Sequence, residues 1–259
     1  MLQARWYRPF VDLLFPRVCS LCSEPIVEFE EESICLKCVS DIIPTESRCP
    51  HCSAPLPTAY GSIIKVPKKC FYCESRKWAF RKAFCYTAYA GTAALAARKI
   101  KQQSCEPLAI ELGKRIGKWL HSHPPFIANH YDFILPIPQH WIRRATVRYN
   151  QAEVLAEHIS RELGIPIRRH WLYRTRWTGK QGTKTIAERR ISLTDSFGCK
   201  AKDAIRGAKL LVVDDIVTSG ATAHEAATAL RKRGATRVDV VAFARGVGAF
   251  HSKKGSGAK

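Results

Sequence analysis

Residues 209–226 read KLLVVDDIVTSGATAHEA. The aliphatic run at the start of this stretch predicts a buried strand over 209–213, and the run VDVVAF predicts another over 238–243. A helix-like pattern from Ala221 to Arg233 lies between them. A strand, a loop, a helix and a second strand in this order are typical of a parallel βαβ unit.

Two adjacent aspartates, Asp214 and Asp215, end the aliphatic run and precede a loop of small residues. In open α/β sheets a ligand binds beyond the carboxyl ends of the strands, where loops lead into helix N-termini. Backbone amides, the helix N-terminus and hydroxyl groups suit a phosphate there. The loop residues that would supply them are Thr218, Ser219, Gly220, Ala221 and Thr222.

The aspartates would repel such a phosphate, so they predict a different contact. Carboxylates suit the hydroxyls of a ribose or a bound Mg²⁺. The stretch therefore predicts a sugar-phosphate site. An ordinary βα loop, with Thr218 or Ser219 as the N-cap of the helix, is the alternative.

Other segments after residue 84 alternate between strand and helix patterns. Apolar runs predict strands over 132–138 and 165–169, and EPLAIELGKRIGKWL predicts a helix over 106–120. A further helix is predicted to begin after Asn150 as its N-cap, with Glu153 completing a capping box. These elements predict an α/β domain with a parallel sheet over 84–246.

The N-terminal third contains eight of the eleven cysteines, arranged as four C-x-x-C pairs. Two successive pairs can complete a closed tetrahedral site of four thiolates, which is the pattern expected of structural zinc. The sequence thus predicts two zinc sites in a double zinc ribbon over 17–80. Disulfides and iron–sulfur clusters are the competing interpretations. The predicted ligands are Cys19, Cys22, Cys35 and Cys38 for the first site and Cys49, Cys52, Cys70 and Cys73 for the second.

The formal net charge of this 259-residue chain is +20, which favours polyanionic partners. Residues 1–16 lack the apolar core and the cleavage site of a signal peptide, and no stretch approaches the length of about 20 apolar residues that spans a bilayer. We therefore expect a short N-terminal helix over 1–16, no membrane span and a cytoplasmic location. The small, polar and basic residues 247–259 predict a disordered tail.

The stretch LLVVDDIVTSGAT (210–222) resembles the phosphoribosyl pyrophosphate signature of type I phosphoribosyltransferases. With the C-x-x-C pairs ahead of it, the chain resembles the ComF family over roughly residues 10–246. That family links a double zinc ribbon to a phosphoribosyltransferase-like domain and is associated with DNA uptake in competence. Further stretches similar to family segments are LAARKIKQQ (95–103), DFILPIPQH (132–140), RYNQAEVLA (148–156) and residues 174–197.

The resemblance implies a phosphoribosyltransferase in which Asp214 and Asp215 hold the ribose hydroxyls and favour positive charge on the sugar ring. The loop from Thr218 to Thr222 would bind the 5′-phosphate, and Mg²⁺ would bridge the pyrophosphate oxygens. The pyrophosphate would lie against the 136–140 loop with Pro136, Ile137 and Pro138, aided by Arg143, Arg144 or Arg148. These arginines fit a solvated basic face equally well. Lys180, Arg189 and Arg190 would close over the leaving group. The acceptor is not evident, and a homodimer is left open.

A second interpretation is a non-catalytic module that binds single-stranded DNA and retains the sugar-phosphate site for sensing. Zinc ribbons, the positive charge and aromatic residues among basic ones favour it. Arginines and lysines would follow the phosphates while aromatic rings stack on bases. The candidate rings are Trp141, Tyr149, Trp171 and Trp177, although Trp171 and Tyr173 also fit a core position at a strand end.

Overall fold

The computed structural model describes residues 17–26, 33–56, 70–74, 76–139, 149–175, 193–201 and 203–246. The predicted N-terminal helix over 1–16 and the predicted tail over 247–259 lie outside these residues. The boundaries of the zinc ribbon (17–80) and of the following domain (84–246) stay predictions.

The described strands and helices alternate along the second part of the chain. The strands are β1 (Ala83–Ala88), β2 (Phe133–Pro136), β3 (Leu172–Arg174), β4 (Phe197–Cys199), β5 (Lys209–Val217) and β6 (Arg237–Arg245). The helices are α1 (Leu36–Asp41), α2 (Phe71–Glu74), α3 (Gly91–Lys99), α4 (Glu106–His121), α5 (Gln151–Leu163) and α6 (Ala221–Lys232). Short 3₁₀ turns span Gln103–Cys105 and Ala128–His130.

Four strands form a parallel sheet in the order β1-β6-β5-β2, and β3 pairs with β4 as a separate antiparallel pair. Val213 lies opposite Val241 of β6 on one side and Pro136 of β2 on the other. This sheet confirms the predicted α/β fold class.

Helices cover both faces of the sheet because β5 is apolar along both. Leu211 and Val213 pack into a cluster with residues of α3, α4 and α5, whereas Leu210 and Val212 pack into a cluster with α6. All four side chains are fully buried. A continuous aliphatic run of this kind is expected of a parallel strand that is covered on both faces.

The three helices predicted after residue 84 agree with the structure to within a residue or two. Asn150 is the N-cap of α5, and its side-chain oxygen accepts a hydrogen bond from the amide of Ala152 at 3.2 Å. The predicted strand over 165–169 is wrong, because only Ile167 makes a bridge, with Ile134.

The predicted end of β5 at residue 213 is also wrong. Asp214 stays in register with Ala242, and Ile216 with Ala244, so the strand continues to Val217. The reason is the length of its neighbour β6, which offers backbone partners as far as Arg245. The two aspartates therefore lie within the strand and not in the loop after it.

The cysteine-rich segment covers the outer edge of β1. The amide of Thr45 donates to the carbonyl of Tyr86 at 3.1 Å, and the amide of Ala83 donates to His51 at 2.8 Å. The Ser53 hydroxyl donates to the carbonyl of Ala83 at 2.7 Å. Backbone groups that an edge strand would leave unpaired are therefore satisfied by this segment.

Asp239 holds the opposite end of the sheet together. This carboxylate is fully buried and accepts hydrogen bonds from Arg81 at 3.0 Å, from the Lys82 amide at 2.8 Å, from the Tyr131 hydroxyl at 2.6 Å and from Arg237 at 2.9 Å. Burial alone would raise the pKa of Asp239, but the hydrogen bonds from these side chains outweigh burial and lower it.

We expect Asp239→Asn to destabilise the protein by about 1.5–3 kcal/mol at pH 7, because it removes the buried negative charge that accepts hydrogen bonds from Arg81 and Arg237. Since the pKa of Asp239 is lowered on folding, its stabilisation is present above the unfolded pKa of about 3.9 and is lost as the pH falls below it. Thermal unfolding as a function of pH measures both effects. Asp195→Asn is the control, since its ion pair with Lys232 is exposed and is worth at most about 1 kcal/mol; equal losses in the two variants would contradict the expectation.

Candidate functional site: two thiol clusters and a carboxylate pair

The eight predicted zinc ligands form two clusters in the structure. Within each cluster the four sulfur atoms lie within 4.8 Å of one another. The Sγ atoms of Cys22 and Cys35 are 3.6 Å apart, and those of Cys49 and Cys73 are 3.8 Å apart. Four thiolates at about 2.3 Å from a tetrahedral zinc would be separated by about 3.8 Å, so the clusters fit this metal.

The two clusters begin with the same turn. The amide of Ser23 donates to the carbonyl of Cys19 at 2.8 Å, and the amide of Ser53 donates to Cys49 at 3.0 Å. Both serines have positive φ, 65° and 55°, so the chain reverses sharply after each C-x-x-C pair. Amides turned toward sulfur stabilise a thiolate, and the amide of Leu21 lies 3.4 Å from Cys19 Sγ. Each cluster is closed by four protein ligands, which is typical of structural zinc.

The carboxylate pair lies at the carboxyl end of the sheet, where Asp214 and Asp215 are both buried. Asp214 Oδ1 accepts from the amide of Asp215 at 2.9 Å, and Asp215 Oδ1 accepts from the amide of Ile216 at 2.8 Å. Burial, together with the charge of Asp215, raises the pKa of Asp214 well above its usual range, and the charge of Arg174 opposes this shift. Asp214 can therefore keep its proton where an ordinary aspartate has lost it.

Two polar side chains that the sequence assigned no role contact Asp215. The Lys101 ammonium lies 3.3 Å from Asp215 Oδ2, and Gln151 donates to the same oxygen at 3.1 Å. The Gln139 amide in turn donates to Gln151 at 3.1 Å. The sequence did point to the stretches that contain Lys101 and Gln151, because both are similar to ComF family segments.

The small-residue loop follows β5 directly and leads into α6. Gly220 is the N-cap of α6 and has φ 75°, a left-handed conformation that glycine adopts without strain. The Ser219 hydroxyl is buried and accepts from the amide of Ala221 at 3.4 Å. The N-cap is thus Gly220, and the alternative that placed it at Thr218 or Ser219 is wrong.

The Pro136–Pro138 segment lies beside this loop because β2 is the neighbour of β5. The amide of Ile137 donates to the carbonyl of Val213 at 2.8 Å, and the carbonyl of Ile137 accepts from the Asn150 side chain at 3.2 Å. The carbonyl of Pro138 accepts from Arg174 at 3.0 Å. The structure therefore brings this segment, the carboxylates and the small-residue loop to one edge of the sheet.

The basic residues predicted around the pyrophosphate lie outside the described residues. They are Arg143, Arg144, Arg148, Lys180, Arg189 and Arg190, and their roles stay predictions. Arg174, by contrast, lies within the described residues, and its charge acts on Asp214. The sequence singled it out only as the first residue of the stretch 174–197 that is similar to a family segment.

The predicted base-stacking rings have different surroundings. Tyr149 is buried, with 6% of its surface exposed, so its interpretation as a stacking ring is wrong. The ring of Trp171 packs edge-on against the ring of Phe133, with 4.8 Å between the ring centres. The Arg168 guanidinium lies over both rings. Tyr173 is exposed, which contradicts its core assignment. Trp141 and Trp177 lie outside the described residues.

Comparison with protein families agrees with this architecture. Residues 10–73 match the double zinc ribbon domain, and residues 149–256 match the phosphoribosyl transferase domain. The chain joins a double zinc ribbon to a phosphoribosyl transferase domain. The predicted resemblance to the ComF family, and with it the predicted order of the two modules, is confirmed.

Curated relatives carry names connected with DNA. DNA utilization protein YhgH of Escherichia coli O157:H7 is 26% identical over 235 residues, which cover 90% of this chain and 99% of that protein. Competence protein F of Haemophilus influenzae is 32% identical over 115 residues, 44% of this chain. The matching stretch spans 50% of Competence protein F.

Solved structures that are similar to part of this chain include two enzymes with phosphoribosyl compounds in their names. Glutamine phosphoribosylpyrophosphate amidotransferase from B. subtilis is 22% identical, with 51% of this chain and 26% of that chain covered and a TM-score of 0.35. Purine phosphoribosyltransferase from Pyrococcus horikoshii is 14% identical, with 56% and 86% covered and a TM-score of 0.31.

We expect the purified protein to bind two zinc ions per chain and each single cluster variant to bind one. Cys22→Ser removes a ligand of the first cluster and Cys73→Ser a ligand of the second, and three thiolates hold zinc less firmly than four. Elemental analysis gives the stoichiometry, and the absorption of the cobalt-substituted protein reports tetrahedral thiolate ligation. Iron in the protein as isolated would contradict the zinc assignment.

Proposed function

We propose that the chain is a phosphoribosyltransferase that binds phosphoribosyl pyrophosphate with Mg²⁺ at the carboxyl end of β5 and β2. The observation that carries this proposal is the placement of a buried carboxylate pair directly beside a small-residue loop at a helix N-terminus. The carboxylates suit ribose hydroxyls, and the loop at the helix N-terminus suits a phosphate. A sugar phosphate carries both hydroxyls and a phosphate in one molecule.

The loop from Thr218 to Thr222 receives the 5′-phosphate. Its amides precede α6, where the helix dipole favours an anion. The left-handed Gly220 turns the backbone at the start of the helix. The buried Ser219 hydroxyl contributes a further polar group at the same place.

The carboxylates receive the ribose. Because its pKa is raised, Asp214 can donate a hydrogen bond to a ribose hydroxyl as well as accept one. Asp215 accepts from Gln151 and pairs with Lys101, so its carboxylate is fixed in position next to the sugar. Both carboxylates offer the hard oxygen ligands that Mg²⁺ prefers.

Transfer then requires a bond from the acceptor to C1 of the ribose as the bond from C1 to the pyrophosphate oxygen breaks. Positive charge develops on the sugar ring in this step, and a fixed negative charge at Asp215 stabilises it. The protein otherwise positions the two reactants. Asp214 and Asp215 would help to hold Mg²⁺, which would supply positive charge to the departing pyrophosphate.

The cellular role of the chain is inferred from the names of its relatives. The names Competence protein F and DNA utilization protein support a role in the uptake or use of DNA. None of the eleven cysteines, all of which the structure describes, forms a disulfide, which suits the reducing cytoplasm. None of the described helices is both long enough and apolar enough to cross a bilayer. The acceptor and a homodimer stay open.

Calorimetric titration of the zinc-loaded protein with phosphoribosyl pyrophosphate and Mg²⁺ tests the proposal. We expect saturable binding that the double variant Asp214→Asn and Asp215→Asn loses. The variant should melt no lower than the wild type at pH 7, because it removes a carboxylate whose burial opposes its charge. This stability difference should shrink as the pH falls through the unfolded pKa of about 3.9 and vanish well below it, where Asp214 is protonated in both states.

Asp132→Asn is the matched control, since Asp132 accepts from the amide of Lys209 at the opposite end of the same strand pair. Its affinity for phosphoribosyl pyrophosphate should equal that of the wild type. A folded wild-type protein that binds none of this ligand would overturn the proposal.

Binding of single-stranded DNA is the second candidate function. It is favoured by a group of cations and aromatic rings around Trp171 and Tyr173. Arg168 lies over Phe133 and Trp171, and the Lys200 ammonium lies 5.4 Å from the centre of the exposed Tyr173 ring. Alternating cations and rings suit phosphates and bases respectively.

The salt dependence of binding to an oligonucleotide tests this second candidate. Each phosphate contact contributes a slope of about −0.7 to the plot of log affinity against log salt for a single strand. We expect Arg168→Gln to reduce the slope by about one contact, and Arg161→Gln, an exposed arginine paired with Glu157, to leave it unchanged. A slope near zero in the wild type would exclude the charge-based mechanism.

A further inference from the structure

Arg245, the last residue of β6, joins the second cysteine cluster to the start of the phosphate loop. It is 1% exposed. Its Nε atom donates to the carbonyl of Cys52 at 3.0 Å. Its Nη1 atom donates to the carbonyl of Val217 at 2.9 Å and also to the carbonyl of Thr218. One planar guanidinium thus fixes a zinc-ligand backbone and the first loop residues to each other.

The positive charge of Arg245 also suits a position beside a metal-bound cysteine cluster. The guanidinium lies 4.7 Å from the centre of the Tyr72 ring, which stands between the ligands Cys70 and Cys73. Within the described part of the chain, no carboxylate is seen to form an ion pair with Arg245. A buried cation needs a compensating charge, and four thiolates around one zinc ion carry a net negative charge that supplies it.

Trp78 makes a second connection on the other side of the loop. Its indole nitrogen donates to Cys73 Sγ at 3.4 Å. Its ring lies against Gly220, where an added Cβ would come within 2.9 Å of two ring carbons. The N-cap of α6 is therefore in direct contact with a side chain that is hydrogen-bonded to a zinc ligand.

The neighbouring residue reinforces this contact. The amide of Ala79 donates to His224 Nδ1 at 3.1 Å. The ring of His224 lies edge-on to the ring of Trp78, with 6.1 Å between the ring centres. His224 belongs to the first turn of α6, so the segment after the second cluster is attached to the helix as well as to the loop.

The first cluster makes no comparable contact with the loop among the described residues. The Lys99 ammonium of α3 donates to the carbonyls of Ser20 and Leu21 at 2.9 and 3.1 Å. Asp41 accepts from the hydroxyl of Thr92 in the same helix at 3.1 Å. The first cluster is anchored to α3, which makes it a matched control for the second.

From these contacts we propose that the second cluster, when it holds its metal, fixes the phosphate loop through Trp78 and Arg245. These two side chains are positioning residues: they hold Val217, Thr218 and Gly220 in the arrangement that receives a phosphate. Loss of metal from the second cluster then loosens the loop and weakens the binding of a phosphorylated sugar. The part about ligand affinity rests on the proposed function, whereas the part about the loop does not.

Hydrogen exchange measured by mass spectrometry on the full chain tests the loop directly. We expect the amides of residues 217–222 to exchange at least about tenfold faster in Cys73→Ser than in the wild type, the change that loss of a single strong hydrogen bond produces. In Cys22→Ser they should exchange at the wild-type rate. Equal acceleration in both variants, or in neither, would overturn the proposal.

Trp78→Phe keeps the experiment informative if Cys73→Ser does not fold. This variant retains all eight cysteines and an aromatic ring, but it removes the donor to Cys73 Sγ. We expect two zinc ions, faster exchange at residues 217–222 and weaker binding of phosphoribosyl pyrophosphate. Wild-type exchange and affinity in this variant, together with wild-type exchange in Arg245→Lys, would show that neither side chain positions the loop.

The two proposals fail in different ways. If the wild type binds no phosphoribosyl pyrophosphate but the loop loosens only in Cys73→Ser, the proposed function is wrong and the positioning role stands. If the wild type binds the ligand and loop exchange is indifferent to the second cluster, the proposed function stands and the positioning role is wrong.

Discussion

Burial of β5 on both faces is the constraint on which the rest of the structure depends. A strand covered by α6 on one side and by α3, α4 and α5 on the other lies between two parallel neighbours. Its carboxyl end is then the place where polar side chains meet the loop that leads into α6. Asp214 and Asp215 occupy this end while they are still in register with β6. Their unusual electrostatics follow from the sheet, because a carboxylate inside a buried strand is costly to ionise.

Much of the fold could be predicted from local patterns. The helices α4, α5 and α6 follow from apolar spacing and from the N-cap at Asn150, and the cysteine clusters follow from the spacing of the C-x-x-C pairs. The extension of β5 to Val217 could not be predicted in this way. It depends on the length of β6, whereas an aspartate pair by itself reads as the end of a strand.

The parts of the site that the sequence missed depend on contacts between distant segments. Gln151 is 64 residues from Asp215 along the chain, and Lys101 is further away still. No local pattern distinguishes them from other polar residues on helices and turns. Arg245 is similar, since an arginine at the end of an apolar strand reads as an exposed terminus, and only the packing of the second cysteine cluster explains its burial.

The cover that the cysteine-rich segment provides for β1 has a consequence for how the protein behaves in the cell. Thr45 and Ser53 donate hydrogen bonds to this edge and the carbonyl of His51 accepts one, so the edge is not open to strands of other molecules. This cover belongs to a segment with few core-forming residues of its own, and zinc bound by its two cysteine clusters would contribute to its folding. The supply of zinc thus bears on whether newly made chains stay monodisperse or associate through their sheets.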